Sequence, residues 1–169
     1  MTAIICFDLI PQSIGLTDLS TTIIGIILGI TAMVLCDSAV KKKYEKNLKE
    51  NTLLLKTGII IGIGLAIHNF PEGLAIGSGF NASIKLGYSL AIAILLHDVP
   101  EGVTMSIPMR LGGMKKQKVL IYTILSGMTT GIGAFFGALI GNISQATISM
   151  CLAFAARCNA IYCIRGIDT

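Results

Sequence analysis

His68-Asn69-Phe70-Pro71-Glu72-Gly73 and His97-Asp98-Val99-Pro100-Glu101-Gly102 are two copies of one hexapeptide, His-x-x-Pro-Glu-Gly, set 29 residues apart. Each lies inside an apolar run long enough to cross a bilayer as a helix, which takes roughly 20 residues. A charged side chain near the bilayer centre costs about 2.5–3.5 kcal/mol on insertion scales. Glu72, Asp98 and Glu101 therefore need partners, and neither run carries an interior Lys or Arg to supply one. A bound cation, or protonation, is what remains.

The surrounding composition fits that setting. The chain has 169 residues, 53% hydrophobic and 13% charged, with no Trp and a mean hydropathy of +0.80. That balance is too apolar for a soluble domain of this size. Nineteen glycines and four prolines would weaken soluble helices, but small residues let membrane helices approach closely. The net charge of +4 does not mark a nucleic-acid surface, because ten of the thirteen Lys and Arg residues fall in two short stretches, 41–56 and 110–118. No nucleic-acid partner is expected; the bilayer is. Cys6, Cys36, Cys151, Cys158 and Cys163 lie in apolar sequence without Cys-x-x-Cys spacing, so neither a zinc knuckle nor a disulfide framework is indicated. Met1 runs into apolar residues without a basic leader, and no cleavable signal peptide is expected.

The expected fold is all-α, a polytopic membrane helix bundle with about four complete and two partial transmembrane helices, organised as one transmembrane domain over 1–169. The complete spans are expected at 21–40, 53–77, 84–108 and 119–141; the partial ones are 1–16 and the run from 143, interrupted by Arg157. Basic loops stay on the cytoplasmic side. This puts 41–52 and 109–118 inside, and the turns at 78–85 and around Asn142 outside, in a multi-pass protein of the cell membrane. The two hexapeptide helices must then run antiparallel. A turn near residue 83 places His68 and His97 at the same depth, roughly 20 Å below it by helical rise.

At that depth the spacing points to metal. His and Glu at i and i+4 share one helical face, so each helix offers an imidazole nitrogen and a carboxylate to a common point. Pro71 and Pro100 remove the N–H donors that would reach the carbonyls of Ile67 and Leu96, and the resulting kink is expected to open room beside the ligands. Gly73 and Gly102 are expected to remove bulk where the two helices meet around an ion. Mixed nitrogen and carboxylate donors suit zinc and its first-row neighbours, whereas calcium and magnesium prefer oxygen shells. Discontinuous helices near the midplane are a recurring way for transporters to build ion sites, so Fe²⁺, Mn²⁺ and Cd²⁺ stay open beside Zn²⁺, each as transported ion and not as cofactor. A lone membrane histidine is more often a hydrogen-bonding residue between helices; two copies of the hexapeptide reverse that preference. An intramembrane metalloprotease would need His-Glu-x-x-His, which is absent. Asp37 and Lys41 are expected to form an ion pair at a helix end, and Met105, Met109 and Met114 to be apolar packing.

On the two hexapeptides the sequence resembles the ZIP (Zrt/Irt-like) family of metal transporters, most closely its bacterial, GufA-like branch. The resemblance implies eight transmembrane helices with this motif pair on the fourth and fifth. Cys6-Phe7-Asp8-Leu9-Ile10-Pro11-Gln12 looks like the end of family helix two, and Leu125-Ser126-Gly127 like the middle of helix six. It further implies that His68, Glu72, His97 and Glu101 are ligands of the primary metal site. Asn69 and Asp98, with the same glutamates bridging, match a second adjacent site in binuclear members. Alternating access, often described as elevator-like, and movement of metal into the cytoplasm are expectations of the same kind, and a homodimer stays open as a partner. Departures stand beside these matches. Thr130-Gly131 falls where relatives often have Glu-Pro, which removes a carboxylate from the second site. Gln12 replaces a Glu, and the loop 41–51 lacks the histidines common in the family. Family helices one and eight have no counterpart, and Arg157-Cys158-Asn159 stands where relatives read Gly-Ala-Met, a change that a frameshift near residue 157 would produce. The alternative reading is therefore a truncated, non-transporting metal-binding membrane fragment or subunit.

Overall fold

The computed structural model describes residues 11, 14–15, 19–45 and 53–165. Five helices follow one another: α1 Leu19–Glu45, α2 Leu53–Ala82, α3 Ile84–Leu111, α4 Lys116–Gly141 and α5 Gln145–Arg165. No strand occurs among the described residues. Three of the helices, α2, α3 and α4, are long and apolar enough to cross a membrane, and the chain is a multi-pass membrane protein. In α1 and α5 the qualifying apolar stretches are shorter, Ser20–Ala32 and Gln145–Ala155.

α1 outruns its expected span at both ends, and α2, α3 and α4 at one end each, because a helix ends where capping groups take over and not where hydropathy falls. The α2/α3 connection is the single residue Ser83, in extended backbone, whose hydroxyl accepts from Leu86 N at 3.1 Å. The α3/α4 turn closes on Gly113, whose φ of +88° suits a residue without Cβ. Arg110 braces it by donating from Nη1 to Met114 O at 2.7 Å. Arg157 interrupts the apolar run but not the helix, since α5 continues to Arg165; the backbone bonds of a helix are internal whatever side chain it carries. The partial span at 1–16, with Cys6, Asp8 and Gln12, lies outside the described residues apart from 11 and 14–15. The loop 46–51 and the side chains of Asp37, Lys41 and Arg157 lie outside them as well.

The tightest seam joins α2 to α4, and glycine makes it. A Cβ at Gly73 would collide with the Thr130 carbonyl and one at Gly133 with the Phe70 carbonyl; one at Gly137 would strike Leu74 O and one at Gly77 would strike Ala134 O. The backbones are therefore in direct contact, where dispersion and side-chain-to-carbonyl hydrogen bonds replace the hydrophobic effect that lipid removes. This differs from the expectation for Gly73 and Gly102. Gly73 faces α4, and a Cβ at Gly102 would meet only Thr123 of α4, at 3.2 Å. Neither glycine lines the α2/α3 seam.

Two apolar clusters occupy that α2/α3 seam. Ala75 of α2 packs with Leu86, Leu90 and Ile94 of α3 and with Ile148, Leu152 and Ala155 of α5. Toward the basic 110–118 turn, Leu65 of α2 packs with Met105 and Met109 of α3 and Val119 of α4. Met105 and Met109 seat against Gly62 and Gly58, so the methionines pack as expected. Cys151 is a buried free thiol; the other four cysteine side chains lie outside the described ones. The hexapeptides fall between these clusters: His97 three residues past Ile94, and Glu101 four before Met105.

Candidate metal centre

α2 and α3 each carry one hexapeptide inside an unbroken helix, with Pro71 and Pro100 in the interior. Spacing at i and i+4 stacks His68 with Glu72 at 3.4 Å and His97 with Glu101 at 2.8 Å, Nε2 to Oε1. The antiparallel hairpin brings the pairs face to face. His97 Nε2 lies 3.2 Å from Glu72 Oε1, and His68 Nε2 lies 3.7 Å from Glu101 Oε1. The imidazole centroids are 6.2 Å apart with the rings at 74°, so the common depth holds. Glu72 is fully buried and His68 is 2% exposed, whereas His97 and Glu101 retain 21% and 16% exposure.

His97 Nε2, both carboxylate oxygens of Glu72 and Oε2 of Glu101 are buried without a hydrogen-bond partner, as are Asn69 Oδ1, Asp98 Oδ1 and Thr130 Oγ1. Buried polar atoms without partners are uncommon, and four of these seven belong to Glu72, His97 and Glu101, which converge, a signature of a site built for something other than itself. The spacing says what kind. Nitrogen and oxygen ligands sit about 2.0–2.1 Å from zinc, so neighbouring ligands of a tetrahedron lie about 3.3 Å apart. The four imidazole-to-carboxylate distances, 2.8–3.7 Å, bracket that edge. Two overlapping triads have atoms close enough to share an ion, His68 with Glu72 and His97, and His97 with Asp98 and Glu101.

The remaining expected site residues turn toward α4. Asn69, 5% exposed, donates from Nδ2 to Ser126 O at 3.3 Å, and its acceptor oxygen Oδ1 is left without a hydrogen-bond partner. Asp98 lines a groove of about 540 Å³ between α3 and α4 together with Gly102, Ser106, Thr123, Arg110 and Lys116. Sequence reasoning missed that hydroxyls of α4 bond to α2. Ser126 and Thr129 bond to α2 carbonyls beside the hexapeptide, Ser126 Oγ to Gly62 O at 3.4 Å and Thr129 Oγ1 to Ala66 O at 2.8 Å. The signal was present as a run of small and hydroxyl residues, Ser126, Thr129, Gly133, Gly137 and Gly141, at helical spacing.

The family profile described as ZIP Zinc transporter matches residues 35–156. Among curated relatives, the zinc transporter ZupT of Clostridium perfringens is 44% identical over 103 residues, 60% of this chain and 36% of the relative. ZupT of Campylobacter jejuni is 53% identical over 97 residues, 57% of this chain and 33% of the relative. The zinc transporter GufA of Myxococcus xanthus is 35% identical over 100 residues, 59% of this chain and 39% of the relative. The chain thus spans well under half the length of each of these three relatives. No solved structure matches it.

Proposed function

The chain belongs to the ZIP zinc transporter family, and from that membership and the geometry of the hexapeptides we propose that it carries divalent metal cations, zinc first, across a membrane. The single observation that supports this most is the convergence of two imidazole nitrogens and two carboxylates on one buried point between α2 and α3, at ligand-to-ligand spacing. His68, Glu72, His97 and Glu101 are the primary ligands. Asn69 and Asp98 extend the site toward α4. The same donors would admit Fe²⁺, Mn²⁺ or Cd²⁺, because first-row selectivity comes from geometry and availability more than from raw affinity.

The mechanism follows from what hydrocarbon does to charge. Two carboxylates in the site balance a divalent ion, and two neutral imidazoles complete a shell at no further electrostatic cost. The loaded centre is then close to neutral, so a helix group can carry it past lipid, while the metal-free centre holds unpaired carboxylates. Pro71 and Pro100, each lacking an N–H, bend the helices beside the ligands and give the ion room to enter and leave. Release is to the side of the basic stretches 41–52 and 109–118, which face the cytoplasm of a cell whose plasma membrane holds the protein.

Uptake of zinc into proteoliposomes containing the purified full chain tests this reading. Wild-type protein should accumulate metal, and the Glu72→Ala/Glu101→Ala double variant should not. Equal flux from both would reject the site. Binding by the wild type without flux would support instead a metal-binding membrane subunit.

A further inference from the structure

Pro71 leaves a gap in the helix that carries half of the site. Having no N–H, it cannot reach the Ile67 carbonyl, so one rung of the α2 hydrogen-bond ladder is missing in the turn that holds His68. A turn weakened in this way would let His68 and Glu72 drift relative to one another, and a ligand set tolerates displacements of only about 0.5 Å.

The hydrogen bonds between α4 and α2 fall just before that gap and within it. Ser126 Oγ reaches Gly62 O at 3.4 Å, Thr129 Oγ1 reaches Ala66 O at 2.8 Å, and Asn69 Nδ2 reaches Ser126 O at 3.3 Å. Thr129 also lies 2.6 Å from Ser126 O within its own helix, so its one proton is shared between two carbonyls. Ser126 is 6% exposed, and the glycine contacts of Gly73 with Thr130 O and of Gly133 with Phe70 O hold the backbones together at this level. The corresponding turn of α3 is different: Thr104 near Pro100 bonds locally, to Glu101 O at 2.7 Å, and Val99 is 64% exposed.

We infer that Thr129 and Ser126 are positioning residues that brace the proline-interrupted turn of α2, making His68 and Glu72 the fixed half of the metal centre. α3 carries the adjustable half. This rests on the metal-site reading above, since bracing matters only if the two side chains hold an ion. Loss of a polar partner behind a metal ligand weakens binding about 10- to 100-fold when it bonds the ligand itself. Thr129 acts two residues away with a shared proton, so the effect should lie near the lower end of that range or just below it.

The test is zinc binding by the full-length chain in detergent, by competition with a chromophoric chelator, with chelator-treated protein melted in parallel. Thr129→Val, which keeps the shape and removes the hydroxyl, should raise the zinc dissociation constant about 5- to 10-fold while the metal-free protein still unfolds in one cooperative transition. In vesicles it should raise KM and leave the maximal rate near that of the wild type. Thr129→Ser should restore both. In a Pro71→Ala background, where the missing rung is returned, Thr129→Val should cost less than it does alone, a coupling that simple packing loss would not produce. Ser126→Ala gives an independent reading and should weaken zinc binding in the same direction. Wild-type affinity in Thr129→Val, or equal weakening in Thr129→Ser, overturns the bracing role. Undiminished zinc binding by the Glu72→Ala/Glu101→Ala variant overturns the site itself, and the two failures are told apart by which variant shows them.

Discussion

Replacing Glu72 by glutamine preserves the shape of a fully buried side chain and changes only what the carboxylate contributes, so stability and binding should move in opposite directions. In the metal-free protein, Glu72 lies 3.4 Å from one imidazole and 3.2 Å from the other, with neither oxygen hydrogen-bonded. A charge at the bilayer centre costs about 2.5–3.5 kcal/mol, and an unpaired amide buried in its place about 1–3 kcal/mol. Glu72→Gln should therefore stabilise the metal-free chain by about 1 kcal/mol, the difference between those two costs. Zinc affinity should fall. Losing a group behind a ligand costs about 10- to 100-fold; losing a ligand shared by both imidazole edges should cost at least about 100-fold, or about 2.8 kcal/mol. Thermal unfolding in detergent, with chelator and with saturating zinc, reads both quantities on the same sample. A Gln variant that is less stable without metal, or that binds zinc as well as the wild type, would refute the reasoning.

Two further substitutions probe the scaffold. Gly137→Ala and Gly131→Ala sit six residues apart on α4 and share the same gain in helix propensity, yet a Cβ at Gly137 collides with Leu74 O whereas one at Gly131 meets nothing within 4 Å. The first should destabilise by about 1–3 kcal/mol through overpacking and the second should stay within about 0.5 kcal/mol of wild type, measured by detergent unfolding. Met105→Ala empties the seat against Gly62 beneath the site and should cost about 2–5 kcal/mol, while Leu96→Ala, at a position 70% exposed, should be silent in the same assay.

Much of this was legible in the sequence because the membrane leaves few choices. Apolar runs of the required length had to be helices, and the i,i+4 spacing of His68 with Glu72 and of His97 with Glu101 fixed the face on which each pair stands. The antiparallel hairpin followed from two consecutive spans joined by a turn near residue 83, and the equal depth of the histidines followed from counting residues on either side of it. What could not be read was the identity of the neighbours. Gly73 stands beside a proposed ligand, so it was natural to assign it to the α2/α3 seam; its true neighbour, Thr130 of α4, lies 57 residues away. A small residue announces that some backbone comes close without saying which. The same holds for Ser126 and Thr129, whose hydroxyls satisfy their own helix in most sequences and here reach across to α2. Helix ends were missed by three to five residues at Ala82, Leu111 and Lys116 because caps and one-residue turns carry little hydropathy signal.

X-ray absorption at the zinc K-edge of the loaded, purified chain addresses the ligand shell most directly. A shell of about four nitrogen and oxygen neighbours at about 2.0 Å, with outer-shell scattering from two imidazoles, is the result expected of His68, Glu72, His97 and Glu101 acting together. A sulfur neighbour near 2.3 Å, or a shell without imidazole scattering, would contradict it.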